Sequence, residues 1–365
     1  MESMVDIFSS FYRGKRVLVT GHTGFKGSWL SIWLHELGAE VIGFALDPIS
    51  ERDNYVLSGV GEKIEQDVRG DIRSLENVKE IFGRYQPEIV FHLAAQALVS
   101  QSYDSPVDTY ETNVIGTIHV LEAIRITKSV KVAIMVTSDK CYENREQIWG
   151  YRENEPMGGY DPYSSSKGAA EIAIASWRRS YFNPTEYEKH GKSIASVRAG
   201  NVIGGGDWAK DRIIPDCIRA LEAGSPIKIR NPRAIRPWQY VLEPLGGYLL
   251  LAQKMWYAPM RYCEGWNFGP NQESISTVWE MASKVIACYG RGTLFDQSKS
   301  NSHHEAELLM LDISKAKFHL GWEPRIGLDQ AIAMTIDWYL NYKMGGGEIC
   351  VKQIEYYSTT TCVYL

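Results

Sequence analysis

A β-branched run followed by three evenly spaced glycines constrains the fold more than any other stretch of this chain. Residues 16–20 read RVLVT and predict a strand, and Gly21, Gly24 and Gly27 then open a segment with apolar residues at helical spacing. Strand, glycine turn and helix in this order let a pyrophosphate approach the backbone, and the start of the helix offers free N–H groups. The spacing is GxxGxxG rather than GxGxxG, so the pattern predicts a dinucleotide site with one displaced glycine.

The carboxylate that ends the next strand indicates which dinucleotide is bound. The strand VIGFAL is followed by Asp47, twenty residues after Gly27. A carboxylate at this position can accept hydrogen bonds from an adenosine ribose and would repel a 2′-phosphate. Alternatively, Asp47 and Pro48 only end the strand in a turn. The position favours the ribose role, and with it NAD over NADP.

Buried strands continue to alternate with helical segments through the first half of the chain. EIVFHLAAQ predicts a strand that ends at Ala94 and Ala95, whose small side chains would let a cofactor lie against the backbone. Residues 108–126 predict a helix with Asn113 on its inner side. Asp71 precedes another helical segment and could either bond adenine or cap that helix. Successive strand–helix units predict a Rossmann-type, doubly wound parallel sheet with its ligand at the carboxyl ends of the strands.

A cluster of reactive side chains follows the buried strand VAIMV. Ser138, Asp139 and Lys140 come almost directly after it, and Tyr163 and Lys167 are four residues apart. On a helix this spacing places the phenol and the ammonium on one face, and a cation within about 4–6 Å favours the phenolate. A Tyr–Lys pair at this spacing is also common on solvated helices, so the motif gains its weight from the dinucleotide pattern before it. We predict that these residues form the catalytic centre.

The composition excludes several other classes of protein. The net charge is −5 and no basic run stands out, which argues against nucleic-acid binding. The six cysteines lie far apart and show no metal-ligand spacing, so neither a metal site nor a disulfide framework is predicted. The N-terminal residues lack the apolar segment of a signal peptide, and no apolar run approaches the roughly 18 residues that span a bilayer. We therefore expect a cytoplasmic protein that does not contact a membrane.

Several motifs taken together resemble a known family. GHTGFKG, HLAAQ, TSDKCY and YSSSK, in this order, resemble the extended short-chain dehydrogenase/reductases, which act on nucleotide sugars with a bound NAD. The longer strings TSDKCYENRE, GYRENEPMGGYDPYSSSKG, RAGNVIGGGDW and IRNPRAIRPWQYVLEP resemble one branch of this family, the CDP-glucose 4,6-dehydratases. The resemblance extends from residue 16 to about residue 339. It implies a tightly bound NAD that is regenerated in each turnover, CDP-glucose as the favoured substrate, a place in deoxysugar biosynthesis, and a homodimer or homotetramer.

Motifs and resemblance together give two sets of predicted binding residues. The cofactor set comprises Gly21, Thr23, Gly24, Phe25, Gly27, Asp47, Asp71, Ile72, Ala94, Ala95, Gln96, Asn113, Tyr163 and Lys167. Beyond residue 201, basic side chains suited to a nucleotide diphosphate are concentrated in an otherwise acidic chain. The resemblance directs Arg236 to the phosphates, Asn201 to the diphosphate or sugar, and Glu305 to the nucleotide ribose. The substrate set comprises Asn201, Asp207, Trp208, Arg212, Arg219, Arg236 and Glu305.

The resemblance also implies an order of chemical steps. Tyr163 takes the proton of the sugar 4-hydroxyl while a hydride leaves C4 for NAD, Lys167 holds the phenolate and the nicotinamide ribose, and Ser138 bonds the forming carbonyl. Water is then lost across C5 and C6, with Asp139 as the acid, and the hydride returns to C6. Relatives that act on dTDP-glucose carry Asp-Glu where this chain has Asp139-Lys140. Lys140 is therefore the expected C5 base, for which it must be neutral; the alternative is that it only pairs with Asp139.

Two other functions remain open from the sequence. A nucleotide-sugar 4-epimerase of the same fold would use Tyr163 and Lys167 alike, but it has no need of Asp139 and Lys140. A non-catalytic, NAD-binding regulator would have kept the fold and lost the chemistry, and the intact catalytic residues argue against it. Loss of one water from the substrate distinguishes a dehydratase from both.

Past residue 200 the alternation of strands and helices weakens, and Gly- and Pro-rich segments become frequent. We expect an NAD-binding domain over residues 14–200 with a return segment at 238–260. A smaller nucleotide-sugar-binding domain should occupy residues 201–342, interleaved with the first. Residues 343–365 form a C-terminal tail outside the resemblance, which we expect to pack on a partner subunit.

Overall fold

The computed structural model describes residue 8 and residues 10–298 and 308–360. The strands in these ranges are β1 (Arg16–Thr20), β2 (Glu40–Ala45), β3 (Gln66–Arg69), β4 (Ile89–His92), β5 (Val132–Val136), β6 (Ser193–Ala199), β7 (Asn201–Ile203), β8 (Ile227–Ile229), β9 (Ile235–Tyr240), β10 (Gly265–Phe268), β11 (Ile275–Thr277) and β12 (Leu294–Asp296).

The α-helices in the same ranges are α1 (Phe25–Glu36), α2 (Asn54–Leu57), α3 (Val60–Lys63), α4 (Leu75–Tyr85), α5 (Val99–Asp104), α6 (Pro106–Tyr110), α7 (Gly116–Ile126), α8 (Pro162–Ser180), α9 (Tyr187–His190), α10 (Ile213–Glu222), α11 (Leu242–Tyr257), α12 (Val278–Tyr289), α13 (Leu328–Asn341) and α14 (Gly346–Thr359). Short 3₁₀ turns lie at Asp139–Cys141, Pro184–Glu186, Gln272–Ser274 and Tyr342–Met344, and π turns at Glu111–Ile115 and Ala316–Leu320. None of the described helices combines the length and the apolarity needed to cross a bilayer.

Seven of the described strands form one parallel sheet in the order β3-β2-β1-β4-β5-β6-β10. Strand β5 reads VAIMV and is buried along its whole length, because helices cover both faces of the sheet. The strand order reverses between β1 and β4, and sheets of this class bind ligands at the carboxyl ends beside such a reversal. The predicted doubly wound parallel sheet is confirmed.

Alternate residues of the central strands build two cores, one on each face of the sheet. Val17 and Val19 of β1 point into the cluster that contains Trp29, whereas Leu18 points into the cluster that contains Val120. Successive side chains of a strand project to opposite faces, so a continuous apolar run serves both layers. The fully apolar strands of the sequence are thus a consequence of burial on two sides.

The remaining described strands form two small sheets. β7 pairs in parallel with β9, β9 pairs antiparallel with β11, and β8 pairs in parallel with β12. Helix α11 returns to the large sheet and packs against β5 and β6, and β10 then adds the last strand beside β6. We propose that residues 14–200 form the NAD-binding domain together with this return, and that β10, beyond the predicted segment 238–260, also belongs to it.

The C-terminal segment packs on its own chain. Helix α14 contacts α1 and α13, and its Cys350 and Ile354 are fully buried. The Tyr357 ring meets Trp33 of α1 edge to face, with 5.5 Å between the ring centroids. Residues 346–359 therefore complete the core of this chain, and contact of the tail with a partner subunit stays a prediction.

A buried carboxyl group joins this C-terminal helix to the rest of the core. Glu243, at the start of α11, accepts hydrogen bonds from the backbone nitrogens of Arg325 and Ile326, each at 2.6 Å, and from the Tyr357 hydroxyl at 2.9 Å. Burial raises the pKa of Glu243 to about 7, against the opposing effect of these hydrogen bonds. The folded protein therefore holds a proton here that the unfolded chain releases at lower pH.

We expect this carboxyl group to make folding stability fall as pH rises. Below the ordinary glutamate value of 4.5 both states bind the proton, between that value and about 7 only the folded state does, and above it neither does. The loss across this window is about 3 kcal/mol, since one pKa unit corresponds to about 1.4 kcal/mol. Urea denaturation of Glu243→Gln across the window should show a shallower slope than the parent, whereas the exposed Glu80→Gln should not; equal slopes would contradict the assignment.

Candidate active site

The glycine turn after β1 is fixed by close backbone contacts. Gly21 has φ of +76°, and a Cβ there would lie 2.7 Å from the Ala94 nitrogen. A Cβ on Gly27 would lie 2.0 Å from the Gly21 oxygen. Only glycine tolerates both the left-handed backbone and these approaches. The turn therefore brings the start of α1 against the end of β4, where Ala94 and Ala95 are half-buried.

The start of α1 fits the diphosphate of a dinucleotide. Gly24 is the N-cap of this 12-residue helix, is exposed, and provides no side chain to cap the first N–H groups. These groups and the positive end of the helix dipole suit a phosphate. Thr23 donates to the Leu46 oxygen at 3.0 Å, which ties the turn to the end of β2, and the half-buried Phe25 packs on the core beneath it.

The carboxylate at the end of β2 fits an adenosine ribose that lacks a 2′-phosphate. The Asp47 side chain is 85% exposed, and Arg69 donates to it from Nε at 3.0 Å. The same guanidinium also pairs with Asp67, so two carboxylates surround one cation. The remaining negative charge repels a phosphate, and this geometry fits NAD better than NADP.

The two interpretations of Asp71 are separated by the structure. Ser74 caps α4 by accepting a hydrogen bond from the Asn77 nitrogen at 3.3 Å, so the capping role for Asp71 is wrong. Asp71 instead accepts from the backbone nitrogen and Nε of Arg73, at 2.9 and 2.8 Å. The adenine contact stays a prediction, as does a cofactor contact by Ile72, which is buried.

A π turn orients the amide that links the cofactor side of the site to α8. The predicted helix over 108–126 is interrupted at Glu111–Ile115, and Asn113 lies within this turn. Its amide nitrogen donates to the Gln96 oxygen at 3.0 Å and to the Ser166 hydroxyl at 2.9 Å, while its oxygen accepts from the Gln96 nitrogen at 2.9 Å. Such turns recur at functional sites because they redirect a side chain. Here the turn fastens the loop after β4 to the helix that carries Tyr163.

The polar residues after β5 form a compact turn. The Ser138 hydroxyl accepts from the Lys140 nitrogen at 3.2 Å and donates to Asp139 Oδ1 at 2.9 Å. Ser138 and Asp139 are buried, and Lys140 is half-buried. Lys140 and Asp139 do not form an ion pair, so the alternative in which Lys140 only pairs with this neighbour is wrong for this structure. A Cβ on Gly200 would lie 3.1 Å from Asp139 Oδ2, so glycine keeps the space around that oxygen open.

Helix α8 begins where it places Tyr163 in its first turn. Asp161 is the N-cap and accepts from the nitrogen and the hydroxyl of Ser164, at 2.9 and 2.6 Å, and Pro162 follows at the first helical position. Tyr163 and Lys167 then lie one turn apart, and both are buried. Asp-Pro is a typical helix start, so the sequence carries a signal for the start of α8 in addition to the Tyr–Lys spacing.

The electrostatics of Tyr163 differ from the expectation. Burial raises the pKa of Tyr163 to about 12, although a hydrogen bond with Ser138 and the charge of Arg212 lower it. Burial, and after it the charge of Lys26, lowers the pKa of Lys167 to about 7. The expectation that the neighbouring ammonium brings the phenol below its usual pKa is therefore wrong here, because burial outweighs every charge and the cation that acts on Tyr163 is Arg212.

Two cations lie near Asp139 and Tyr163, and sequence reasoning did not assign either of them to the catalytic chemistry. Lys26, in the first turn of α1, lies near Asp139 and Arg212; burial and then Arg212 lower its pKa to about 8, against the effect of Asp139. Arg212, just before α10, donates to Asp207 Oδ2 at 2.8 Å and lies near Tyr163. Lys26 stands inside the glycine motif and Arg212 was predicted only as a substrate ligand. Spacing gave no signal that they converge, because α10 lies far away in the chain.

Asp207 and Trp208, which are predicted to face the nucleotide, lie in a loop that neighbouring side chains support. Asp207 is buried, and the Arg52 guanidinium covers the Trp208 ring at 3.5 Å from its centroid. Tyr339 and Tyr342 meet the same indole edge to face. These contacts hold the loop in place, and nucleotide binding by Asp207 and Trp208 stays a prediction.

The other predicted substrate residues have separate surroundings. Arg219 donates to the oxygens of Trp208 and Ala209, at 2.9 and 3.2 Å, and so supports the same loop. Arg236 is buried on β9, and Asn201 is half-buried at the start of β7. Glu305 lies outside the described residues. Substrate contacts by these side chains stay predictions.

Comparisons with known proteins agree with this geometry. The family model described as GDP-mannose 4,6 dehydratase matches residues 18–335. The chain is 50% identical over 361 residues to the CDP-glucose 4,6-dehydratase of Salmonella typhimurium strain LT2. The aligned residues cover 98% of this chain and 100% of that protein.

Solved structures share the fold. The UDP-glucose 4-epimerase of Thermus thermophilus, in complex with NAD, superposes with a TM-score of 0.74 at 25% identity, covering 88% of this chain and 98% of that chain. The dTDP-glucose 4,6-dehydratase of Bacillus anthracis, also in complex with NAD, superposes with a TM-score of 0.75 at 20% identity, covering 92% of this chain and 100% of that chain. Together with the family match and the near full-length relative, these likenesses lead to one conclusion: the chain belongs to the GDP-mannose 4,6-dehydratase family of extended short-chain dehydrogenase/reductases.

Proposed function

We propose that this protein is an NAD-dependent hydro-lyase that converts CDP-glucose to CDP-4-dehydro-6-deoxyglucose. The observation that carries the proposal is the meeting of two groups of residues at one sheet edge: the Ser138–Lys140 turn and the Tyr163–Lys167 face of α8. Oxidation at C4 needs the second group and Ser138, whereas dehydration also needs Asp139 and Lys140 as an acid and a base. The identity to the Salmonella CDP-glucose 4,6-dehydratase supports the choice of nucleotide.

The first half of the reaction belongs to Tyr163, Lys167 and Ser138. Burial raises the pKa of Tyr163 to about 12, so the phenol must first lose its proton; its oxygen then takes the proton of the sugar 4-hydroxyl. The Ser138 hydroxyl turns from Asp139 Oδ1 to donate to the oxygen that becomes the C4 carbonyl. The chemistry that a bound NAD supplies is acceptance of the C4 hydride and its later return at C6. The residues proposed to hold it are the glycine turn, Asp47, Asn113 and Lys167. The ketone that results makes the C5 proton acidic.

The second half belongs to Asp139 and Lys140. Lys140 Nζ takes the C5 proton while Asp139 protonates the departing 6-hydroxyl, so one water leaves and a C5–C6 double bond forms. The open space beside Gly200 leaves Asp139 Oδ2 accessible to the sugar. Lys140 then returns its proton to C5. Transfer of the proton held by Tyr163 to the Asp139 carboxylate restores both side chains, so the net change is the loss of one water and no oxidant is consumed.

A product assay tests the proposed function. We expect purified protein to convert CDP-glucose to a product lighter by one water, with slower conversion of dTDP-glucose, UDP-glucose and GDP-mannose. An unchanged product mass with an altered sugar configuration would instead indicate a 4-epimerase. No turnover of any of the four sugars would favour a non-catalytic NAD-binding regulator and overturn the proposal.

We also infer that the protein is a homo-oligomer in the cytoplasm. Helices α6, α7 and α8, with the π turn before α7, carry exposed apolar side chains, among them Val107, Ile115, Ile126 and Ile172, and such a surface suits a second copy of the chain. The described cysteines are free thiols, as is usual in a reducing compartment. Sedimentation of the purified protein tests the oligomeric state.

Arg212 is expected to control the pH dependence of the oxidation. Its charge lowers the pKa of Tyr163, so Arg212→Gln raises that pKa further and leaves less phenolate at neutral pH. The acidic limb of the kcat/KM profile should move to higher pH, and activity near neutrality should fall roughly tenfold. Arg230→Gln, an exposed residue paired with Asp211, is the matched control. An unmoved limb in Arg212→Gln would contradict this role.

A further inference from the structure

A buried guanidinium lies beneath the two catalytic groups without belonging to either. Arg198 is on β6, beside the strand that carries Ser138, and its side chain is 5% exposed. It forms a two-pronged ion pair with Glu171: Nε donates to Oε1 at 2.9 Å and Nη2 to Oε2 at 2.8 Å. Planar guanidinium and carboxylate groups match in this arrangement, which fixes orientation as well as distance.

The carboxylate partner anchors the helix that carries Tyr163 and Lys167. Glu171 follows Lys167 by four residues, one turn along the same face of α8. Besides Arg198, it accepts hydrogen bonds from the hydroxyls of Thr137 at 2.5 Å and Ser196 at 2.8 Å. Burial alone would raise the pKa of Glu171, but Arg198 and these hydroxyls lower it, so the carboxylate is charged. Helix α8 is thereby fixed to the ends of β5 and β6.

The remaining nitrogen of the guanidinium anchors the turn that carries Asp139 and Lys140. Arg198 Nη1 donates to the Tyr142 hydroxyl at 2.6 Å and to the Glu153 oxygen at 3.0 Å. Tyr142 is two residues after Lys140, and its hydroxyl donates in turn to Asn267 Oδ1 at 2.8 Å. The Tyr142 ring stacks on Tyr151, with centroids 5.3 Å apart, which orients the phenol. The end of the catalytic turn is thus held by the same side chain that holds α8.

We propose that Arg198 is a positioning residue that sets the placement of the elimination pair, Asp139 and Lys140, relative to the oxidation pair, Tyr163 and Lys167. The inference rests on the proposed function, because only a dehydratase needs both pairs to act on one bound sugar. Both anchors run through a single rigid fork, so a change in its shape alters the separation of the two pairs. Displacement of a reacting group by about 1 Å is sufficient to cost about 10²-fold in rate.

Arg198→Lys is the informative substitution. Lysine keeps the positive charge beside Glu171, but it has one nitrogen on a flexible stem and cannot reproduce the fork. In a single turnover with CDP-glucose, we expect the variant to oxidise C4 at a rate near that of the parent and to dehydrate about 10²-fold more slowly. A 4-keto sugar that retains its 6-hydroxyl, identified by mass, and reduced nicotinamide should therefore accumulate together. The parent should show neither.

Two further variants keep the proposal decisive. Tyr142→Phe removes the hydroxyl that Arg198 binds but keeps the ring stacking, and it should shift the ratio of oxidation to dehydration in the same direction; it decides the matter if Arg198→Lys does not fold. Glu243→Gln alters a buried carboxyl group elsewhere in the core and should leave the ratio unchanged.

The outcomes separate this proposal from the proposed function. If the parent dehydrates CDP-glucose while Arg198→Lys and Tyr142→Phe slow oxidation and dehydration equally, Arg198 has only a structural role and the positioning proposal is overturned. The positioning proposal is also overturned if Glu243→Gln shifts the ratio of oxidation to dehydration as much as Arg198→Lys and Tyr142→Phe do. If the parent dehydrates no nucleotide sugar, the proposed function itself fails.

Discussion

Tyr163→Phe is expected to lower turnover of CDP-glucose by about 10²–10⁴-fold, because it removes the oxygen that accepts the proton of the 4-hydroxyl. The phenol ring fills a buried position at the start of α8, and phenylalanine keeps that volume, so the fold should be retained. Every later step depends on the C4 ketone. Neither the 4-keto sugar nor reduced nicotinamide should therefore form in rapid-mixing experiments.

Tyr181→Phe is the control for this substitution. Tyr181 ends the same helix, is half-exposed, and lies far along α8 from the catalytic turn. It should turn over CDP-glucose like the parent. Titration calorimetry should give both variants the CDP-glucose affinity of the parent, since the change concerns a reacting group. Reduced nicotinamide that forms at the parental rate in Tyr163→Phe would remove this residue from the oxidation.

Lys140→Ala is expected to separate the two halves of the reaction. Tyr163, Lys167 and Ser138 remain, so C4 oxidation should proceed, but no side chain takes the C5 proton. Dehydration should fall by about 10²–10⁴-fold, the usual contribution of a positioned base. The substrate should then exchange no C5 hydrogen with deuterated solvent, and the 4-keto sugar should accumulate on the enzyme.

The exposed Lys128→Ala controls for loss of a positive charge and should behave like the parent. Normal dehydration by Lys140→Ala would assign the C5 proton to another group. Lys26 is then the next base to test, because it lies near Asp139 and burial lowers its pKa to about 8. The double variant Lys26→Ala, Lys140→Ala would distinguish a substitute base from a mechanism without lysine.

Local patterns in the sequence account for most of the fold. The strand at 16–20 was predicted with its observed bounds, and the helix predicted after the glycines is α1, because their signals are short-range: β-branching, missing Cβ atoms and helical periodicity. The alternation of apolar strands and helices was sufficient for the doubly wound sheet, since both faces of such a sheet are buried. The joining of β10 and the docking of α14 were not predicted, because each depends on contacts between segments far apart in the chain.

The proposed catalytic centre also combines features that the local sequence predicts with features that depend on contacts between distant segments. The spacing of Tyr163 and Lys167 and the position of Ser138, Asp139 and Lys140 after a buried strand are sequence properties, and the structure brings the two groups together. Their protonation is not a sequence property. The expected low pKa for Tyr163 was wrong because burial, which spacing does not report, exceeds the effect of the surrounding charges.

The sequence by itself therefore determined which side chains can react and on which elements they lie, since a helical turn and a strand end are local geometry. Only the tertiary structure decided which charges meet them: Lys26 of α1 and Arg212, just before α10, converge on the site, and Arg198 joins the two catalytic groups from β6. Electrostatic energies depend on distance and burial in space, and neither is encoded by position along the chain.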